Sequence, residues 1–281
     1  MNPESWPAPA KINLFLHITG RRSDGYHLLQ TVFQFLDYGD ALRFMPRDDG
    51  VIRLTRPLPG LAEHQDLTVL AATLLRGHAA RPLGVDITVE KRLPLGAGLG
   101  GGSSDAATTL LVLNRLWNLN LPVGRLAELG VQLGADVPVF VHGRAAWAEG
   151  VGERLSPIDL PEPWYVVVVP PCHVSTAEIF AAPELTRNAP PLTIPAFLSG
   201  AGGNACEAVV CRRYPEVRRA LDWLNAHAPA RMSGTGAAVF AAFADRDRAQ
   251  RVADAVPASW AAFVAHGRNR SPLHERLTRF A

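Results

Sequence analysis

Cysteine is scarce in this chain: three residues in 281, at Cys172, Cys206 and Cys211. An odd number without paired Cys-x-x-Cys spacing excludes a disulfide framework and a thiolate zinc site, and it suits a reducing compartment. Charge of one sign is lacking too. The 28 Lys and Arg face 26 Asp and Glu, a formal net charge of +2. That balance argues against a dedicated nucleic-acid surface, although a small phosphate site needs only local charge. No apolar run approaches the ~20 residues that span a bilayer. Residues 1–9 are polar and proline-rich with no apolar stretch, so no signal peptide and a cytoplasmic location are expected. Repeats and low-complexity tracts are absent. Hydrophobic residues at 48% and charged residues at 19% give enough apolar material for a full core.

What is present is concentrated in residues 94–107, Pro-Leu-Gly-Ala-Gly-Leu-Gly-Gly-Gly-Ser-Ser-Asp-Ala-Ala. Five glycines fall between Gly96 and Gly102, and a helical run follows. A glycine-rich turn feeding a helix start is a ready anion site, because backbone N–H groups and the helix dipole point at the ligand. Glycine permits close approach and positive φ. Ser103 or Ser104 can cap the helix or reach a phosphate or metal. Gly96-x-Gly98-x-x-Gly101 also fits the dinucleotide fingerprint. That fingerprint wants an acid ~20 residues on, where this chain has Asn120-Leu121-Pro122. A P-loop would need a lysine directly after the glycines, and none is there. Polyphosphate binding of another type is the expectation.

Alternation over residues 11–19 predicts a strand, and so do residues 41–45, 51–56 and 85–91. Asp48-Asp49-Gly50 reads as a hairpin turn between the second and third of these. Helices are expected over 67–75, 103–117 and 126–133, the last ended by Gly134. A strand is expected over 145–149. Prolines at 157, 161 and 163 suggest a linker or crossover near residue 156. Beyond it come strands at 165–169, 237–243 and 261–265, and helices at 177–182, within 206–213, 217–226 and 246–255. Strands and helices without strict alternation indicate an α+β fold.

Three further segments carry chemistry. In Gly134-Ala135-Asp136-Val137-Pro138, proline favours an extended residue before it, so Asp136 sits on a short rigid turn. It is either a solvated or capping aspartate, or a carboxylate that orients a hydroxyl proton in phosphoryl transfer. Lys11 is either a strand-edge lysine in solvent or the partner of such a carboxylate, with Asn13 on its face. Ser233-Gly234-Thr235-Gly236 is either a hairpin turn or a second backbone clamp near phosphates.

Taken together, these segments resemble the GHMP kinase superfamily. Its first motif is a lysine-bearing strand, and its phosphate loop and late glycine segment match residues 94–104 and 232–236 in order and spacing. Residues 9–16, Arg22-Ser23-Asp24-Gly25-Tyr26-His27, Gly134 to Phe140 and Glu149-Gly150-Val151-Gly152-Glu153 resemble the branch acting on a cytidine-diphosphate-linked methylerythritol. The likeness runs from residue 9 to about 272.

The resemblance implies a two-domain α+β architecture, with a ribosomal-protein-S5-like domain over residues 1–155 and a ferredoxin-like domain over 156–281. It implies ATP-dependent phosphorylation of the 2-hydroxyl of 4-(cytidine 5′-diphospho)-2-C-methyl-D-erythritol in non-mevalonate isoprenoid biosynthesis. Lys11 and Asp136 fall on the catalytic pair. Pro94, Leu95, Gly96, Ala97, Gly98, Leu99, Gly100, Gly101, Gly102, Ser103 and Ser104 fall on the ATP loop, and Asp66 and Lys91 on positions near the nucleotide. Asn13, Tyr26, His27, Thr176 and Phe180 fall on substrate positions. Tyr26 and Phe180 would stack on the cytosine, and His27 would read its edge. Mg²⁺ is expected with ATP; its ligands are not assigned, with Ser103 or Ser104 as candidates. A small-molecule substrate is the expected partner, with no membrane and no nucleic acid. Two departures stand out: Asp66 replaces the usual Asn, and Ala205 stands where an Asp or Asn is usual.

Overall fold

The structure is a computed structural model and describes residues 4–23, 25–57 and 61–279. Asp24 of the Arg22–His27 motif lies outside the described residues. Two long antiparallel strands open the chain, β1 (Ser5–Arg21) and β2 (His27–Arg47). Register shifts between Pro9 and Lys11, Asn13 and Leu16, and Ile18 and Gly20 kink β1. Such bulges re-aim side chains, and here they flank Lys11 and Asn13.

Strand β3 (Ile52–Leu54) pairs in parallel with β4 (Gly84–Glu90), and β4 pairs antiparallel with β2. The expected hairpin at Asp48-Asp49-Gly50 is therefore corrected: β4 lies between the two strands. Gly50 turns the chain at φ 74°. Val85 and Ile87 are wholly buried, and Val85 N–H donates to Val51 O at 2.8 Å. Burying β4 between two partners satisfies more backbone than a lone hairpin would.

Helices α1 (Leu67–Arg76), α2 (Gly101–Leu116), α3 (Val123–Leu133) and α4 (Val137–His142) follow the first strands. Residues Ser104 to Leu113 of α2 are all buried, which makes it a central helix. Helix α4 is a second correction. Pro138 does not leave its predecessor extended; Val137 is helical, and Pro138 sits in the first turn, where its missing N–H costs nothing. Strands β5 (Ala146–Glu149) and β6 (Arg154–Pro157) form a hairpin on β2. The start of the expected linker near residue 156 is thus paired strand.

The later part comprises β7 (Trp164–Val169), α5 (Thr176–Ala181), α6 (Ile194–Leu198), α7 (Glu207–Arg213), α8 (Pro215–Asn225), β8 (Ala230–Met232), β9 (Val239–Phe243), α9 (Arg246–Asp254), β10 (Ala261–Arg268) and α10 (Pro272–Arg279). The strand order is β3-β4-β2-β10-β7-β9-β8, so β10 stitches both halves into one sheet. One core gathers Phe33, Phe35, Ile87, Leu110, Phe140 and Leu273. A second gathers Val166, Ile179, Val210, Leu221, Val239 and Phe243. Among the described residues no helix is long and apolar enough to cross a membrane.

Candidate active site

A cavity of about 720 Å³ opens where the glycine loop, β1, the start of α4 and the start of α5 meet. Lys11, Asn13, Tyr26, His27, Gly98, Gly100, Ser103, Asp136, Thr176 and Phe180 line it. These ten positions, scattered from 11 to 180, are brought together by the fold.

Lys11 is 3% exposed, and its ammonium has three acceptors. Nζ donates to Asn13 Oδ1 at 2.6 Å and to Gly98 O at 3.1 Å, and it pairs with Asp136 Oδ2 at 3.2 Å. The reading of Lys11 as a solvent-exposed lysine is thereby excluded. Asp136 is the residue before α4, yet its side chain makes no capping bond. Its carboxylate is turned to Lys11. Asn13 is fixed from behind: Nδ2 donates to Thr31 Oγ1 at 2.9 Å, and Thr31 donates to Phe15 O at 2.5 Å. One strand pair thus presets the orientation of the amide and, through it, of the ammonium.

The Ser233–Gly236 turn connects β8 to β9 and also backs the glycine loop. Ser233 Oγ donates to Gly98 O at 2.8 Å and accepts from Asn13 N at 3.2 Å, while Ala238 N donates to Ala97 O at 3.0 Å. Asn204 holds that turn, donating to Met232 O at 2.9 Å and Gly234 O at 2.7 Å. In the sequence Asn204 is marked only by its place beside the missing acid at 205; the asparagine does the holding without it. Thr176 Oγ1 meets Thr235 Oγ1 at 2.8 Å, which joins α5 to the same turn.

The loop fits a polyphosphate. Gly96, Gly98 and Gly100 have φ of 66°, 75° and 71°. A Cβ on Gly98 would lie 2.3 Å from Ser233 O, and one on Gly100 would lie 2.8 Å from the Phe140 ring. The first turn of α2 has no side-chain cap, so its N–H groups suit an anion. Ser103 faces the cavity, whereas Ser104 is buried with Oγ unpartnered. Among the described residues no three His, Cys, Asp or Glu side chains gather into a metal site.

Other expected nucleotide residues do not line this cavity. Lys91, half-buried, is locked between two buried carboxylates, donating to Asp105 Oδ2 at 2.8 Å and to Asp40 Oδ2. Asp40 also accepts from Arg92 N at 2.6 Å and Leu93 N at 2.8 Å, tying the end of β4 to the loop. Burial pushes Asp105 up to about 8, opposed by Lys91 and reinforced by Asp40 and Asp66. Asp66 caps α1, its Oδ1 accepting from Thr68 N at 2.8 Å. Asn caps equally well, so the departure from Asn is tolerated structurally. Pro94, Leu95, Gly96, Ala97, Leu99, Gly101, Gly102 and Ser104 shape the loop from outside the cavity. Leu95 is an exposed apolar side chain, and His173 lies against Gly96.

At the far end, the His27 ring stacks on Phe180, with centroids 5.1 Å apart and planes 27° apart. Tyr26 stands at the rim, 65% exposed. The resemblance implies His27 at the edge of a base between Tyr26 and Phe180; here His27 itself covers part of Phe180. Arg187 donates to His27 Nε2 at 3.0 Å. No motif pointed to Arg187, a lone arginine in a proline-rich loop.

Residues 66–144 match the GHMP kinases N terminal domain, and residues 185–262 match the GHMP kinases C terminal domain. A 4-diphosphocytidyl-2-C-methyl-D-erythritol kinase of Nitrosococcus oceani is 57% identical over 97% of this chain and 97% of its own. One of Ectopseudomonas mendocina is 58% identical over 98% of this chain and 94% of its own. A crystal structure of 4-(cytidine 5′-diphospho)-2C-methyl-D-erythritol kinase superposes with a TM-score of 0.83 at 37% identity, covering 94% of this chain and 99% of that one. A mevalonate kinase shares the fold alone, with a TM-score of 0.66 at 13% identity. With lysine and aspartate paired beside a glycine loop and near-full-length likeness to these enzymes, the chain belongs to the 4-diphosphocytidyl-2-C-methyl-D-erythritol kinase family of GHMP kinases.

Proposed function

We infer that this kinase transfers the γ-phosphoryl group of ATP to the 2-hydroxyl of 4-(cytidine 5′-diphospho)-2-C-methyl-D-erythritol. The products are ADP and the 2-phosphate, in non-mevalonate isoprenoid precursor synthesis. One observation carries the reading. The Lys11–Asp136 pair stands in a single cavity between a phosphate-type loop and an aromatic pocket.

The acceptor is a tertiary alcohol, far too weak an acid to ionise freely, so positioning and electrostatics must carry the step. Lys11 occupies Asp136 Oδ2. That leaves Oδ1 to accept the hydroxyl proton as the acceptor oxygen bonds to the γ-phosphorus and the bond to the β-phosphate oxygen breaks. Because Lys11 also holds Gly98 O, the acid and the phosphate loop are fixed relative to each other. The uncapped N–H groups of α2 and the glycine backbone would bear the phosphates. Mg²⁺ entering with ATP would neutralise phosphate charge, and Ser103 is the protein hydroxyl placed to approach it; such an ion commonly keeps several waters. Phe180 would stack on the base, with Tyr26 at the rim, Thr176 at the Thr235 turn, and Asn13 beside the acceptor.

The division into units of residues 1–155 and 156–281 is supported by the two matched segments, which fall on either side of it. A cytoplasmic location is supported by the three free thiols and the nucleotide substrates. An ADP-release assay with ATP and Mg²⁺ tests the function. Turnover is expected with the cytidyl substrate and not with homoserine, galactose or mevalonate. Turnover with one of those instead would keep the kinase and discard the base pocket.

A further inference from the structure

Arg187 lies in the loop after α5 and does not line the cavity, whereas His27 and Phe180 do. Its Nη2 donates to Phe180 O at 2.9 Å and Ala182 O at 2.7 Å, and its Nη1 to Leu185 O at 3.0 Å. These carbonyls belong to the end of α5 and the turn beyond, where helix acceptors lack intrahelical donors. The guanidinium plane is thereby anchored on three sides. Of its two remaining donors, Nε–H points at His27 Nε2, 3.0 Å away. Arginine has no acceptor and does not deprotonate in proteins. His27 Nε2 must therefore offer a lone pair, and the single ring proton resides on Nδ1.

We propose that Arg187 is a positioning residue for base recognition: it fixes His27 as the neutral Nδ1–H tautomer, so that the ring presents a hydrogen-bond donor to a cytosine-type edge and rejects a uracil-type edge. This deepens, and rests on, the function proposed above. Cytosine N3 is an acceptor; uracil N3 carries a proton and would meet the His27 donor head-on. A site built around one hydrogen-bond pattern discriminates strongly when a buried polar group is left unpaired. The stacking supports this placement. His27 stacks on Phe180 at 27° with centroids 5.1 Å apart, so a base beside the imidazole would meet the same aromatic face. Burial and the charges of Arg187 and Arg21 hold the imidazole below its ordinary pKa, in keeping with a neutral ring. Through the Phe180 carbonyl and His27 Nε2, one side chain sets both the stacking ring and the edge reader.

The test reads the ¹⁵N shifts of the His27 ring nitrogens in the full-length protein at pH 7.5, assigned by difference with His27→Gln. Nδ1 is expected to be protonated and Nε2 pyridine-like, and this measurement needs neither substrate nor an Arg187 variant. In Arg187→Met the ring is expected to move to the Nε2–H tautomer. The KM for the cytidyl substrate then rises about tenfold, preference over the uridyl analogue falls, and kcat stays within about twofold. Arg187→Lys keeps the charge without the planar fork and is expected to behave like Arg187→Met. A wild-type ring protonated on Nε2, or on both nitrogens, would overturn the tautomer assignment. Unchanged KM and base preference in a folded variant whose tautomer has changed would overturn the base-reading role. Absence of wild-type turnover on the cytidyl substrate would overturn the function and its base-reading consequence, while the nitrogen shifts still decide the tautomer.

Discussion

At the scale of single residues, the chemistry rests on an ammonium with no freedom. Lys11 has Asn13, Gly98 and Asp136 as acceptors and the Phe33 ring 5.4 Å away. Asp136→Asn keeps the shape of the carboxylate and removes its charge and its capacity to take a proton. It is expected to lower kcat by about 10²–10⁴-fold. ATP affinity, measured by calorimetry, should change little, because the loop contacts are backbone. An unchanged kcat would remove Asp136 from the reaction. Both residues were legible in the sequence through their motifs. Their pairing was legible through the family resemblance; the geometry that makes it was not, because it depends on bulges in β1 and on a carboxylate that declines to cap α4. Arg187 and Thr31 were invisible for a simpler reason: one is an isolated arginine and the other a buried hydroxyl, and only three-dimensional placement gives them partners.

Among the elements, the glycine loop with α2 is the clearest. Its glycines, hydroxyls and helical run could be read directly from the chain, and the helix begins within two residues of the expected start. Gly98→Ala would place a methyl 2.3 Å from Ser233 O at a φ of 75°. A raised KM for ATP and a lowered melting temperature are expected, against Gly124→Ala, where nothing lies within 4 Å of the added carbon. Equal behaviour of the two variants would contradict the loop's close approach. Under the loop, Asp105 keeps its proton in the folded state up to about 8, against an ordinary value of 3.8. Between those values the folded chain binds more protons than the unfolded one, so this group's contribution makes stability fall as pH rises. Asp105→Asn should flatten that part of the slope in urea titrations from pH 5 to 8; an identical slope in both proteins would refute the buried proton. Strand β2 was the least legible element. Thr31 and Gln34 are wholly buried in it, and polar residues inside a strand break the alternation on which recognition depends. Gln34 is satisfied there by Tyr165 and Pro161, neither of which is near it in sequence.

Considered whole, the molecule is held together by segments that return. Strand β10 pairs with both β2 and β7, and α10 then packs Leu273 into the core formed by the first strands and helices. Ser271 N donates to Gly143 O at 3.0 Å, and Ala145 N to Asn269 O at 2.7 Å, which fastens that return to the end of α4 and the start of β5. The α+β class and the two matched segments were legible; this return was not, since a short amphipathic helix at a chain end carries no partner in its pattern. Leu273→Ala should cost about 2–5 kcal/mol in urea unfolding. A loss below about 0.5 kcal/mol would show α10 to be peripheral, on the scale of ordinary surface substitutions. A tertiary hydroxyl held beside Asp136 and the phosphate loop would be reported directly by the product. The ³¹P spectrum of the purified product from the cytidyl substrate should show a new phosphomonoester without three-bond coupling to hydrogen, because its carbon bears none. A doublet or triplet, from a secondary or primary oxygen, would contradict the placement of the acceptor, and ADP formed without any phosphomonoester would contradict the transfer itself.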